Sequence, residues 1–84
     1  MSGKPTVGRI VHFYNTGLKG QDYLNGVHLN GQGAGPYPAL VLQSFDGPYV
    51  NLLAHAYGGN WAEGSVSEKS EANAARYWEW PPQV

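Results

Sequence analysis

Two apolar runs around a short turn signal constrain the fold of this chain more than any other feature. The runs are Pro38 to Phe45 and Tyr49 to Tyr57, and Asp46-Gly47-Pro48 separates them. This pattern predicts a β-hairpin with a short loop. Side chains alternate across a strand, so the second run has one apolar row and one mixed row. The mixed row is either exposed surface or the floor of a binding site. The apolar row is Val50, Leu52, Ala54 and Ala56, and the mixed row is Tyr49, Asn51, Leu53, His55 and Tyr57.

Three further segments have strand character. Pro5 to Tyr14 is apolar on both faces, Trp61 to Lys69 has the pattern of a weak strand, and Arg76 to Trp80 alternates before Pro81-Pro82 ends it. Ser70 to Ala75 is long enough for a loop or one helical turn. Five short strands predict an all-β fold, either a small SH3-like barrel or a strongly bent five-stranded antiparallel sheet. An open sheet completed by a second subunit is the alternative.

The chain is predicted to be a single β domain, 1–84, that contains a long Gly- and Asn-rich insertion at 15–37. Connections longer than about 15 residues are uncommon in compact domains unless they are functional or disordered. Asn25-Gly26 is a strong turn dipeptide with apolar residues on both sides, which favours a short hairpin. We expect an ordered loop that covers a site or reaches a neighbouring subunit, and disorder is the alternative.

Composition excludes several function classes. The net charge is −1 and the five Lys and Arg residues are dispersed, so no basic stripe is available for duplex nucleic acid. The absence of Cys excludes disulfides and thiolate metal sites. No secretion signal and no long apolar stretch is evident, so we expect a cytoplasmic protein that does not enter a membrane. A core this small favours stabilisation by self-association, which predicts a homo-oligomer.

No motif for catalysis or metal binding is present. The three imidazoles lack the spacing of a metal pair and would need a carboxylate brought near by the fold. A hydrolase would require a serine beside His55 and Asp46, but no nucleophile elbow surrounds either candidate serine. We therefore predict a protein that is not an enzyme and that has no cofactor. The residues weighed were His12, His28 and His55 with Asp22, Asp46 or Glu79 for a metal, and Ser65 or Ser67 for hydrolysis.

Aromatic residues are the most informative part of the composition. The chain has 6 Tyr and 3 Trp, whose rings stack on planar bases, and nearby arginines could pair with phosphate. These properties suit one small nucleotide. Trp78 and Trp80 are more simply explained as side chains that fill the interior of the barrel. The candidate ligand-binding residues are Arg9, His12, Tyr14, Tyr37, Asn51, His55, Tyr57, Trp61 and Arg76.

Four segments in order resemble a family of short proteins encoded by tailed bacteriophages and prophages. The resemblance implies phage origin, a compact β domain and action in the cytoplasm of the infected bacterial host. It implies no catalytic residues. The segments are Val7-Gly8-Arg9-Ile10-Val11-His12-Phe13-Tyr14, Gly35-Pro36-Tyr37-Pro38-Ala39, Val50-Asn51-Leu52 and Trp78-Glu79-Trp80-Pro81-Pro82.

Residues and resemblance together predict a non-enzymatic binding protein of phage type. Its ligand would be a small nucleotide-like molecule at an aromatic-lined site, and its role would be to sequester a host immune signal as an anti-defence protein. The alternative is a protein-interaction module that docks on a host or virion protein.

Overall fold

The computed structural model describes residues 5–45 and 47–82, and they form an all-β fold as predicted. Within these ranges, the only helical segment is a 3-10 turn at Thr16–Leu18, and no helix is long and apolar enough to cross a membrane. The strands are β1 (Ile10–Asn15), β2 (Tyr23–Leu24), β3 (Val27–His28), β4 (Tyr37–Ser44), β5 (Val50–Ala56), β6 (Gly59–Val66) and β7 (Arg76–Glu79).

The main sheet is antiparallel, with the strand order β6-β5-β4-β1-β7. It bends so strongly that the chain leaving β6 reaches β7 at the opposite edge. There the Trp78 N–H donates to the Ser67 carbonyl at 3.1 Å, and the Lys69 N–H donates to the Trp78 carbonyl at 3.0 Å. This short parallel bridge curls the sheet into a half-barrel. The fold is the strongly bent five-stranded antiparallel sheet of the prediction.

The predicted central hairpin is confirmed by the antiparallel pairing of β4 with β5. The predicted inner row of β5 faces the core, because alternation and burial coincide along this strand. Asp46, in the predicted turn, lies outside the described residues. The fully buried members of the row are Val50, Leu52 and Ala54, and Ala56 packs partly buried against them.

One apolar core lies inside the curve of the sheet. Its largest fully buried side chains are Trp78, Tyr37 and Phe13. The Trp78 indole N–H donates to the Pro48 carbonyl at 2.9 Å, so this buried polar group is satisfied. Trp80 packs edge to face on Trp78, with ring centroids 5.5 Å apart. Both tryptophans therefore contribute to the core.

The insertion at 15–37 folds back onto the core. Asn25 and Gly26 have φ values of 49° and 83°, the two positive values that a type I′ hairpin turn requires. This turn joins β2 to β3, and β3 lies beside β6. Leu18 and Leu29 of the insertion are buried in the core. The insertion therefore contributes apolar side chains to the core, and it is not a wall of the cleft described below.

Strand β1 begins at Ile10 and not at Pro5 as the sequence predicted. The Arg9 N–H donates to the Thr6 carbonyl at 3.1 Å, which makes a turn of the preceding residues. Gly8 in this turn has a φ of 92°, a conformation that glycine adopts without steric cost. The alternating pattern hid the turn because Val7 and Arg9, on either side of Gly8, continue the strand-like sequence.

Candidate functional site

An open cleft lies where the chain passes from β6 to β7. Its volume is about 660 Å³, in the usual range for small-molecule sites of about 300 to 1,000 Å³. The turn before β5 forms one side, the chain after β6 forms another, and the start of β7 completes it. The cleft therefore exists because of the bridge that curls the sheet. Its polar uncharged lining comprises Tyr49, Ser65, Ser67, Ser70 and Asn73.

Arg76 is the most firmly positioned charged group of the cleft. Its Nε donates to Glu63 Oε1 at 2.9 Å, and its Nη2 lies 2.8 Å from the same oxygen. Nη2 also donates to the Gly64 carbonyl at 2.7 Å. Arg76 begins β7 while Glu63 and Gly64 belong to β6, so these charge-assisted bonds join the two outer strands of the sheet. The Arg76 side chain is 36% exposed, so it is still accessible from the cleft.

Tyr49 and Lys69 add a ring and a second cation. Tyr49 is 50% exposed, which leaves ring surface available to a ligand. The Lys69 ammonium lies 5.4 Å from the centroid of the Tyr77 ring, within the range of a cation–π interaction. Two of the four Lys and Arg residues in the described ranges, Lys69 and Arg76, line this single cleft.

Ser65 has a backbone conformation that is unusual for a serine. Its φ is 52°, in the left-handed region that costs an L-residue about 1 to 2 kcal/mol. The Asn51 Oδ1 accepts the Ser65 N–H at 2.9 Å, and the Asn51 Nδ2 donates to Gln43 Oε1 at 3.1 Å. The pairing of β5 with β6 shifts register at this point. Residues with strained backbone conformations are found most often at functional sites. The conformation of Ser65 is therefore a second reason, besides the charged lining, to regard the cleft as a candidate site.

Two of the nine predicted site residues belong to the core instead. Tyr37 is fully buried, and its hydroxyl donates to the Gly33 carbonyl at 2.5 Å. Trp61 is 8% exposed, and its indole N–H donates to Glu63 Oε2 at 2.8 Å. Their rings meet edge to face at 5.3 Å. The sequence could not separate them from a ligand wall because Tyr and Trp suit both environments. The structure places both side chains in the core.

Tyr14 lies in a cross-strand pair and not in the cleft. It stacks on Tyr77 of β7, with ring centroids 5.0 Å apart. Burial raises the pKa of Tyr14 above its ordinary value of 10.0, and the negative charge of Glu79 raises it further. This pair therefore packs the outer side of the junction between β1 and β7.

Arg9 and Tyr57 lie at two other places on the surface. The Arg9 guanidinium is 5.2 Å from the centroid of the Trp80 ring. Tyr57 is 76% exposed and meets His28 edge to face at 5.5 Å, while Tyr23 stacks on the same imidazole at 5.0 Å. The second group is an exposed aromatic cluster, which joins the insertion to the turn between β5 and β6.

His12 and His55 lie on the outer face of the sheet. His12 stands between Pro38 of β4 and Glu79 of β7. His55 pairs with Asn60, near the end of β5 that is remote from the cleft. Of the nine predicted residues, Arg76 alone lines the cleft, and Asn51 supports it through Ser65. The fold therefore does not bring the nine candidate residues together at one place.

The catalytic and metal alternatives find no support in the described geometry. Ser65 and Ser67 line the cleft on either side of Val66, which pairs with Val50 of β5. His55 lies five residues farther along β5, about 16 Å in an extended strand. Asp46, the third group considered, is outside the described residues. Among residues 5–45 and 47–82, no three His, Asp or Glu side chains are grouped to hold a metal ion.

Most residues that line the cleft were not among the candidates predicted from the sequence. Lys69, Ser70 and Asn73 fall in a polar run that we interpreted as a weak strand and a loop. The density of hydroxyl groups beside a cation was the one available signal. It was not decisive, because the same composition is ordinary in solvated loops.

Comparison with known proteins gives no match to a family model, a curated protein or a solved structure. The resemblance to tailed-phage proteins therefore stays a prediction. The cleft and its chemistry are the basis for a functional proposal.

Proposed function

We propose that this protein binds one small nucleotide-like ligand, without converting it, in the cleft between β6 and β7. The observation that carries the proposal is the meeting of the half-exposed Tyr49 ring with Lys69 and Arg76 in an open cavity. Lys69 and Arg76 are two of the four Lys and Arg residues in the described part of the chain, and both line this cavity beside the exposed ring.

Each part of the cleft has a complementary part on a nucleotide. Base–aromatic stacking contributes about 1 to 3 kcal/mol per base, and Tyr49 offers the ring. The hydroxyls of Ser65 and Ser70 can exchange hydrogen bonds with a ribose. Lys69 is a flexible cation suited to one phosphate group.

Binding without turnover agrees with the hydrogen bonds that the cleft side chains already make to other protein groups. The Ser67 Oγ accepts a hydrogen bond from Asn73 Nδ2, so this hydroxyl is held by a neutral amide. The Arg76 guanidinium is held by Glu63. An imidazole that could act as a general base is not among the residues that line the cleft.

The resemblance to phage proteins suggests a biological role for such ligand binding. A non-catalytic binder in an infected bacterium acts by lowering the free concentration of its ligand, so its copy number must be comparable to that of the ligand. We propose sequestration of a nucleotide immune signal in the host cytoplasm on that basis.

The test is a thermal-shift and calorimetric screen of nucleosides, cyclic mononucleotides and nucleoside 5′-phosphates. A ligand that binds the folded state alone raises the melting temperature, and it should be recovered unchanged after denaturation. Tyr49→Ala should weaken binding about tenfold or more, because stacking is lost. Tyr57→Ala is the matched control, since Tyr57 is an exposed tyrosine outside the cleft. Equal losses in the two variants, or chemical conversion of the ligand, would contradict the proposal.

A second candidate function, docking on a host or virion protein, is favoured by an apolar row on the outer face. Ile10, Leu40, Leu53 and Ala62 stand opposite one another across β1, β4, β5 and β6. Ile10 is 48% exposed. An apolar protein surface is the partner that such a row fits.

Loss of a captured partner would test this second function. Ile10→Lys should abolish capture of one stoichiometric protein at unchanged melting temperature, whereas Tyr49→Ala should retain it. Capture that survives Ile10→Lys would rule out the outer face as the docking site.

A further inference from the structure

Glu63 determines the charge of the cleft without lining it. Three charged residues line the cavity, namely Glu68, Lys69 and Arg76. Glu63 lies behind them and is paired with Arg76 at 2.8 Å. Two cations and two carboxylates therefore meet at this place, and the cleft carries no excess positive charge.

Both carboxylate oxygens of Glu63 are occupied. Oε1 accepts from the Arg76 guanidinium, and Oε2 accepts the Trp61 indole N–H at 2.8 Å. The Glu63 side chain is 15% exposed and that of Arg76 is 36% exposed, so solvent screens the ion pair in part, mainly on the Arg76 side. Its position is consequently fixed, and the Arg76 charge is already neutralised before a ligand enters.

Arg76 also has few donors left for a ligand. Its bonds to Glu63 and to the Gly64 carbonyl use Nε and Nη2. Nη1 is the group that has no protein acceptor among the described residues. A forked contact to a terminal phosphate needs two guanidinium nitrogens on one side. Of the two cations that line the cleft, only Lys69 has no ion-pair partner among the described residues.

We propose that Glu63 restricts this cleft to ligands of low negative charge, namely nucleosides and singly charged phosphodiesters, and disfavours terminal phosphates. The inference rests on the proposed nucleotide-binding function. A phosphodiester carries one negative charge, which Lys69 can balance. A terminal phosphate carries about two, and desolvating the second charge without a cation is unfavourable. Glu63 is therefore a specificity-determining residue that acts through Arg76.

Isothermal titration with adenosine, 3′,5′-cyclic AMP, AMP and ATP tests the inference. The wild type should bind cyclic AMP at least about tenfold more tightly than ATP, since close charge pairs differ by that much or more. Glu63→Gln should reduce the preference for cyclic AMP over ATP and should raise the affinity for AMP about tenfold. Glu71→Gln removes the same charge outside the cleft lining and should leave the ranking unchanged.

Two outcomes separate this inference from the function it rests on. If neither these four compounds nor the wider screen of nucleosides and nucleotides yields a ligand, the nucleotide-binding proposal fails. If ATP is the tightest ligand of the wild type, nucleotide binding stands and the restriction by Glu63 is overturned.

A second variant covers the case in which Glu63→Gln fails to fold. Glu68→Gln removes a negative charge from the lining without breaking the Arg76 pair. It should raise the affinity for AMP several-fold, and by less than Glu63→Gln where that variant is folded. An unchanged affinity for AMP in Glu68→Gln would show that charge does not control selection in this cleft, and would overturn the inference.

Discussion

Gly58 and His28 are in direct backbone contact that leaves no space for a side chain at position 58. The Gly58 N–H donates to the His28 carbonyl at 2.9 Å. A Cβ placed on Gly58 would lie 2.5 Å from the His28 backbone nitrogen. The contact attaches β3 of the insertion to the turn between β5 and β6.

Gly58→Ala should destabilise the protein by about 1 to 3 kcal/mol, because backbone atoms must move to admit the methyl group. The melting temperature should fall by about 4 to 8 °C for each kcal/mol. Gly64→Ala is the control, since its Cβ would meet Asn51 Oδ1 at an ordinary 3.6 Å. That substitution should change stability by less than about 0.5 kcal/mol. Similar losses in the two variants would contradict the close contact at Gly58.

Tyr37→Phe should cost about 1 kcal/mol in the free energy of unfolding. The substitution keeps the buried ring and removes the hydroxyl that donates to the Gly33 carbonyl. Urea denaturation measures the difference. Tyr57→Phe provides the comparison, because Tyr57 is 76% exposed. A loss at Tyr57 as large as that at Tyr37 would argue against the buried hydrogen bond.

The free energy of unfolding should decline above about pH 10 because two tyrosines ionise. Burial raises the pKa of Tyr37 and of Tyr14 above 10.0, with Glu79 as a further cause at Tyr14. The folded state therefore holds these protons more tightly than the unfolded chain, whose tyrosines have a pKa of about 10. The stabilisation is complete below that pH and is lost as the pH rises through the higher folded-state values.

Urea denaturation between about pH 8 and pH 11.5 would test this dependence. The double variant Tyr14→Phe/Tyr37→Phe should lose less stability than the wild type over the alkaline part of the range. An identical decline in both proteins would assign the effect to other groups.

Ser65→Gly should leave stability within about 0.5 kcal/mol of the wild type or raise it. Glycine relieves the left-handed backbone at φ 52°, and this gain offsets the extra entropy of the unfolded chain. Ala62→Gly in the same strand, where no positive φ is present, should lower stability by about 0.5 to 1 kcal/mol. Thermal melts of the two variants make the comparison. A larger loss for Ser65→Gly would mean that the serine hydroxyl matters more than the backbone conformation.

Local sequence patterns were sufficient to predict the hairpins. Asn25-Gly26 specifies a turn in which both φ values are positive, and those values occur. The alternation from Val50 to Ala54 matches the burial of β5 because one face of that strand meets the core. Gly8 was the exception, since its turn interrupts a run that alternates like a strand.

The cleft depends on contacts that no local pattern encodes. Glu63 and Arg76 are 13 residues apart and meet because the sheet bends. A carboxylate and a cation at that separation in the sequence are ordinary on a solvated surface, so the pair gives no local signal of a site. The aromatic residues were ambiguous for a different reason. Tyr37 and Tyr49 have the same chemistry, and only the curvature of the sheet buries one and leaves the other at the cleft.

The bridge between Glu68 and Trp78 has a consequence for synthesis of the protein on the ribosome. Strand β7 is flanked by β1, the earliest strand, and by the segment after β6. During elongation, β1 consequently has one unpaired edge until β7 emerges, and a nascent chain is vulnerable to aggregation through such an edge. The cleft between β6 and β7 forms at the same late step, so a truncated or stalled nascent chain would lack this cavity.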